Sequence, residues 1–282
     1  MASADKGGTA LSAVLFEQNG RVVTLTLNRP DTRNALSSDL VEGLIDRLER
    51  ANADRGVSCV VIAGAGKDFS SGGNLHELRE LTSGRNLAAG ELAAWYRDGI
   101  QRIPKTFRHI DVVTVAAVHG HAIGAGCDLA SMCDLRIVAD TASFAESFAR
   151  VGLISGDGGA WFLPRVVGMA RAREMMLTCE PVDARTAERW GLASRVVSEA
   201  DLLDAAQTAA RRIAALPPNA LRATKELLRE TEHLDLDQVL DISARLQARL
   251  QLQPDHLEAV AAVLERRTGC FTGLSSRDED GA

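Results

Sequence analysis

Two glycine-bearing turns carry the groups best suited to hold a developing negative charge. The first is Phe69-Ser70-Ser71-Gly72-Gly73-Asn74-Leu75. The second is His119-Gly120-His121-Ala122-Ile123-Gly124-Ala125-Gly126-Cys127-Asp128-Leu129. Each follows an apolar run that reads as a buried strand. Turns of this kind present bare backbone N–H groups at the start of a helix, where the macrodipole favours negative charge. Two such donors converging on one oxygen would make an oxyanion hole. On these residues alone a plainer reading stays open, in which the glycines only shape strand-to-helix turns.

Other chemistries fail on spacing. Gly64-Ala65-Gly66-Lys67 lacks the length of a phosphate loop, and Gly124-Ala125-Gly126 meets Leu129 where a dinucleotide fingerprint needs a small residue. His119 and His121 have no third ligand in view, so no metal site is expected. The five cysteines, 59, 127, 133, 179 and 270, are odd in number and form no CxxC pair. Neither a disulfide framework nor a zinc site follows; buried reduced thiols in a cytosolic protein do.

The elements that must position the two turns show in the apolar periodicity. Val14–Gln18 and Arg21–Leu27 alternate as strands on either side of Asn19-Gly20, a hairpin turn pair. Ser37 or Ser38 can cap a helix with Leu40, Leu44, Ile45 and Leu48 on one stripe. Val57–Ala63, Val112–Val118, Leu135–Ala139 and Leu192–Val197 read as further strands. Residues 74–110 read as mainly helical, with a short helix near 126–132 and a second glycine cluster at Gly152–Gly159. From Asp201 onward only helical stripes remain, with a capping box at Asp235/Gln238 and Pro254 in a first turn. The expected organisation is an α/β core over 11–200 and a helical region over 201–272. Residues 1–10 and 273–282 are expected to be disordered tails.

Composition bounds the classes. The 282 residues are 46% hydrophobic and 25% charged, an ordinary globular balance. A formal charge of −6 argues against nucleic acid as a partner, because counterion-release binding needs clustered Lys and Arg. The N-terminus lacks the apolar segment of a secretory signal. The longest apolar stretches fall far short of the ~20 residues of a membrane span. A soluble, cytoplasmic protein is expected.

Four segments in order then make a family resemblance: Asn28-Arg29-Pro30 with Arg33-Asn34-Ala35-Leu36, FSSGGNL, HGHAIGAGCDLASMCDLRIVAD and VGLISGDGGAWFLPRVVG. Together they resemble the crotonase superfamily, the enoyl-CoA hydratase/isomerase family, over nearly the whole chain. The resemblance implies a spiral of ββα units with a C-terminal helical region that assembles trimers, often paired into hexamers. It implies acyl-CoA thioester substrates, enolate stabilisation and no cofactor beyond the coenzyme A of the substrate. By motif position the oxyanion donors are the N–H groups of Gly73 and Ala125. Arg29, Arg33, Ala35, Ser71, Gly72, Phe148 and Trp161 are the expected substrate contacts.

The carboxylates depart from the family pattern. Related hydratases use two glutamates. Asp128 stands at the first position and Phe148, which transfers no proton, at the second. Glu146 and Asp157 are the candidate replacements, against plainer readings as a surface acid and a helix N-cap. Dienoyl-CoA isomerases of the family also carry Asp at the Asp128 position, but with acids at the positions of Phe148 and Gly156. The resulting expectation is an enoyl-CoA hydratase-like lyase. The alternatives are an enoyl-CoA or dienoyl-CoA isomerase and an acyl-CoA-binding member without turnover. Asp128, at a helix start, is expected to ionise readily and act as base. Its loss is expected to cost the most, that of Asp157 less and that of Glu146 least.

Overall fold

The computed structural model describes residues 12–84 and 87–273, so the expected tails lie outside the described residues apart from Gly273. Strands β1 (Val14–Asn19) and β2 (Val22–Leu27) form the hairpin. Pairing of Asn19 with Val22 centres the turn on Gly20-Arg21, one residue later than expected, with Gly20 at φ +58°. Helix α1 (Ser38–Ala53) buries its expected stripe, and β3 (Cys59–Gly64) follows. Ser37 is the N-cap residue, but its hydroxyl donates to Asp39 Oδ1 instead of accepting from the helix. Helices α2 (Leu75–Gly84), α3 (Ala89–Asp98) and α4 (Arg102–His109) lead to β4 (Val113–Val118).

The second half begins with β5 (His121–Ile123), α5 (Ala125–Met132), β6 (Leu135–Ala139) and β7 (Ser143–Ala145). Helix α6 (Gly159–Thr178), broken at Gly168, leads to β8 (Val182–Asp183), α7 (Ala184–Arg189) and β9 (Arg195–Val197). Helices α8 (Leu202–Ala214), α9 (Pro218–Glu230), α10 (Leu236–Gln251) and α11 (Pro254–Glu265) complete the chain.

The main sheet has the order β1-β2-β3-β4-β6-β9 and is parallel from β2 onward. Its central strands are apolar runs buried on both faces, as a parallel sheet requires. Helix α8 lies across β2, β3, β4 and β6 and buries Ala206 and Ala210 in the core. The segment from 201 therefore does not begin as an appendage; its first helix closes the sheet.

A second sheet, β5-β7-β8, was not foreseen. Its strands have three, three and two residues, too short to show a period of two. This sheet brings the two turns together. Ser70 N–H donates to His121 O and Ile123 N–H donates to Ser70 O, both at 3.0 Å. On its other edge the same segment is held by Ser71 N–H to Arg33 O (2.9 Å) and Leu36 N–H to Gly72 O (2.8 Å). Asn34 ties the knot: its amide donates to Ala65 O and Asp68 O and accepts from Arg29 N–H.

Gly72, at φ +92°, touches the second turn so closely that a Cβ would sit 2.4 Å from Ile123 O. A comparison with Gly20 separates conformation from contact, because a Cβ at Gly20 meets nothing within 4 Å. Gly20→Ala is expected to cost about 1–2 kcal/mol from the left-handed backbone alone. Gly72→Ala is expected to cost clearly more, read as a lower urea midpoint. Equal losses would show that the contact between the turns contributes nothing.

Candidate active site

A cavity of about 370 Å³ opens beside the junction of the two turns. Gly73 and Ala125 both line it, and neither backbone N–H donates a hydrogen bond among the described residues. Ala125 is the first residue of α5, so its amide belongs to the unpaired N-terminal set of that helix. Ser71, Gly72 and Phe148 also line the cavity, and the Phe148 ring packs over Gly124. Much of the remaining wall is apolar and comes from segments the motifs did not flag, notably Leu78 of α2 and Trp95 and Tyr96 of α3. No motif marked α3; only its position between the first turn and β4 could have suggested a role.

Four expected substrate contacts lie off this wall. Arg29 is engaged with Asp39 at the start of α1. Arg33 sits 3.9 Å from Asp68 at an exposed position. Ala35 is buried beneath the turn. Trp161 is stacked beside the guanidiniums of Arg165 and Arg108, at 3.9 and 5.3 Å from its ring centre. The histidines of the second turn are also used structurally: His121 Nδ1 meets Asp68 Oδ1 at 2.5 Å and His119 Nε2 meets Gly66 O at 3.1 Å. Among the described residues no group of His, Cys, Asp or Glu is arranged to hold a metal, and no helix is long and apolar enough to cross a membrane.

The three candidate acids come together, but not as expected. Asp128, Glu146 and Asp157 are 1%, 1% and 4% exposed, and only Asp157 lines the cavity. Asp128 lies behind it, against the start of α6, where a Cβ on Gly159 would stand 1.7 Å from Asp128 Oδ1. Glu146 lies behind the wall as well, so it is not a surface acid. Gly158, not Asp157, is the N-cap residue of α6.

Asp128 lies within side-chain hydrogen-bonding reach of both Glu146 and Asp157. Yet Asp128 Oδ1 and Asp157 Oδ1 have no hydrogen-bond donor among the described residues, and the Glu146 oxygens have only the weak Cys127 thiol in reach. Two carboxyls in reach of one another bond only through a shared proton, so their proximity favours the protonated forms. The physical cause is burial, which disfavours each charged form. Burial, reinforced by the charge of Glu146, pushes the Asp128 carboxyl well above the usual range. Ser155 Oγ donates to Asp128 Oδ2 at 3.0 Å and favours its charged form, but does not offset burial. Asp157 is likewise raised by burial and then by Asp128. Glu146 is pushed up to about 7, again chiefly by burial. The expectation that the helix start would keep Asp128 ionised is thus overturned: removal from water outweighs the dipole.

The sign for stability follows. Glu146 binds its proton more tightly folded than unfolded, so its contribution is full below its ordinary value near 4.5 and is lost as pH rises to about 7. Glu146→Gln stays neutral throughout. Its Tm relative to the parent is expected to be higher at pH 8 than at pH 5 by about 2 °C or more. A Tm difference independent of pH would contradict a proton held on Glu146.

Comparison with known proteins agrees with this architecture. A family model described as enoyl-CoA hydratase/isomerase matches residues 17–274. The 2,3-dehydroadipyl-CoA hydratase of Escherichia coli (strain K12) is 34% identical over 263 residues, covering 93% of this chain and 100% of the relative. The 1,2-epoxyphenylacetyl-CoA isomerase of the same organism is 34% identical over 253 residues, covering 89% and 95%. A solved enoyl-CoA hydratase from Polaromonas sp. JS666 superposes with a TM-score of 0.85 at 32% identity, covering 92% of this chain and 99% of that one. Its fold, its ordered turns and these likenesses place the chain in the enoyl-CoA hydratase/isomerase family.

Proposed function

We propose that this protein is a lyase that adds water across the double bond of a 2-enoyl-CoA thioester by way of an enolate. One observation carries the reading: the unpaired amides of Gly73 and Ala125 share a cavity wall with Asp157, the one of the three clustered buried acids that reaches it. The amides would hold the thioester oxygen as it gains charge. Ionised Asp157 would take a proton from water as the hydroxyl bonds to Cβ, then return that proton to Cα as the enolate collapses. One carboxyl therefore closes the cycle, and Phe148 at the usual second position does not break it. Asp128 acts from behind, in reach of both Asp157 and Glu146. The chemistry asks for no resident metal or redox group, and coenzyme A arrives with the substrate. Five free cysteines, four of them buried, suit a reducing compartment such as the cytoplasm.

A second reading, a double-bond isomerase, is favoured by the same placement of Asp157 beside the amides, since moving one proton between two carbons needs no second acid. Two assays separate the readings. Hydration removes the conjugated enoyl absorbance of a 2-enoyl-CoA, whereas isomerisation creates it from a 3-enoyl-CoA. Asp157→Asn is expected to lower hydration by ~10²-fold or more, the scale of a general acid–base group. In the parent enzyme the rate is expected to rise with pH through a midpoint above the ordinary carboxylate range, because the base must first lose a proton held by burial. Unchanged hydration in Asp157→Asn would overturn the assignment. Turnover in neither assay would leave acyl-CoA binding alone.

Assembly as a trimer or hexamer is part of the same proposal. Helix α10 buries no residue, and Leu228, Leu236, Leu240, Leu252, Val263 and Leu264 on α9 to α11 and their loops are exposed. Apolar area of this extent on the described surface calls for a partner face. Light scattering at micromolar concentration is expected to give three or six times 30.1 kDa; a monomer would refute it.

A further inference from the structure

Addition of water needs more than a base. The attacking oxygen must be held over Cβ with its lone pair forward, and one carboxyl fixes only one of its two protons. The position that supplies a second carboxyl in related hydratases is Phe148, and the other two acids lie behind the wall. The cavity therefore needs a second oxygen near Asp157, from another element.

Tyr96 is that group. It lies on α3, is half-buried, and lines the same cavity as Asp157, Gly73 and Ala125. Its ring packs beside the Asp157 turn, where a Cβ on Gly156 would sit 3.9 Å from the ring edge. Its hydroxyl makes no hydrogen bond among the described residues. Helix α3 is also tied to the acid-bearing turn. Gln101 N–H donates to Tyr96 O at 3.0 Å, and Gln101 Nε2 donates to Gly156 O at 2.6 Å. One residue thus joins the backbone of Tyr96 to the turn that carries Asp157.

We infer that Tyr96 is a further catalytic residue, whose phenol oxygen accepts a hydrogen bond from the second O–H of the attacking water while Asp157 removes the first proton. This inference rests on the hydratase reading. The water donates one hydrogen bond to Asp157 and one to Tyr96. As the oxygen bonds to Cβ, the O–H bond facing Asp157 breaks and its proton moves to the carboxylate, while the electron pair of the double bond moves into the enolate. The O–H bond facing Tyr96 stays intact and becomes the hydroxyl of the product. Tyr96 keeps its own proton throughout. Burial, and then the charge of Asp157, push the phenol above its usual value, so it stays neutral beside the ionised acid. The other acids lining the cavity, Glu42, Glu77 and Asp98, add no cation that would favour a phenolate, and Glu42 is itself paired with Arg102.

The test is Tyr96→Phe, which keeps the ring and removes only the oxygen. Hydration kcat for a 2-enoyl-CoA is expected to fall ~10-fold or more. KM, and the Kd of the saturated acyl-CoA of the same chain length measured by calorimetry, are expected to stay within ~2-fold. A merely structural tyrosine would weaken binding in step with turnover, and that result would overturn the inference. So would a variant with parental kcat. A parent enzyme that hydrates no enoyl-CoA would instead refute the hydratase reading and this inference with it, whereas an active parent with an equally active variant refutes only the role of Tyr96.

Discussion

Everything at the candidate site depends on one short stretch of backbone pairing. Ser70 exchanges two hydrogen bonds with β5, through His121 O and Ile123 N–H. Those bonds fix the register between the turn after β3 and the turn after β4, which are about fifty residues apart in sequence. A slip of one residue would turn every side chain of the pair to the opposite face and carry Gly73 away from Ala125. The same segment is held on its far edge by the Arg33–Leu36 turn, so it is a strand-like piece locked from both sides. That is why Asn34 is fully buried and spends its amide on three backbone groups. The site is rigid because backbone, not side chains, sets its spacing.

The carboxyl row shows the opposite economy, in which side chains are placed where they are least comfortable. Three acids are withdrawn from water with no cation beside them, and the arrangement persists because each can share a proton with the next. With Asp128 behind the wall and Phe148 at the second position, the carboxyl of this row that reaches the cavity comes from another turn. Asp157 becomes the group at the cavity, and burial, then the neighbouring Asp128, raise its affinity for a proton. An acid tuned upward in this way is suited to give a proton back to carbon as well as to take one from water.

The apolar faces of α9 to α11 and the burial of α8 divide the helical end of the chain into two jobs. Helix α8 completes the core by covering the parallel sheet, which needs both faces covered. Helices α10 and α11 contribute little to that core and leave their leucines outside. Helix α9 is tied to the body through Arg222, while α10 and α11 carry apolar surface that the described residues leave uncovered.

The sequence alone determined the elements with long periodic patterns: the β1–β2 hairpin, α1, β3, β4, β6 and the closing helices. It also determined which two turns hold the glycines and, through ordered motifs, the family. Those features are local, since alternation, capping residues and glycine spacing are written within a few neighbours. Tertiary structure decided what depends on distance. The strands β5, β7 and β8 are too short to signal themselves and form only because partners from other parts of the chain meet them. Which acid faces the cavity was also undecidable locally: motif position put Asp128 first, yet sequence position carries no record of which side chain reaches the wall. Only packing puts Asp128 and Glu146 behind the wall and Asp157 on it. The protonation of the row follows from the same cause, because the free energy of a carboxylate depends on the water it loses, and that loss is a property of the folded chain. Trp161 and Tyr96 make the contrast plain. The motif favoured the tryptophan, which packs between arginines away from the cavity, while the tyrosine reaches it from a helix that no motif marks.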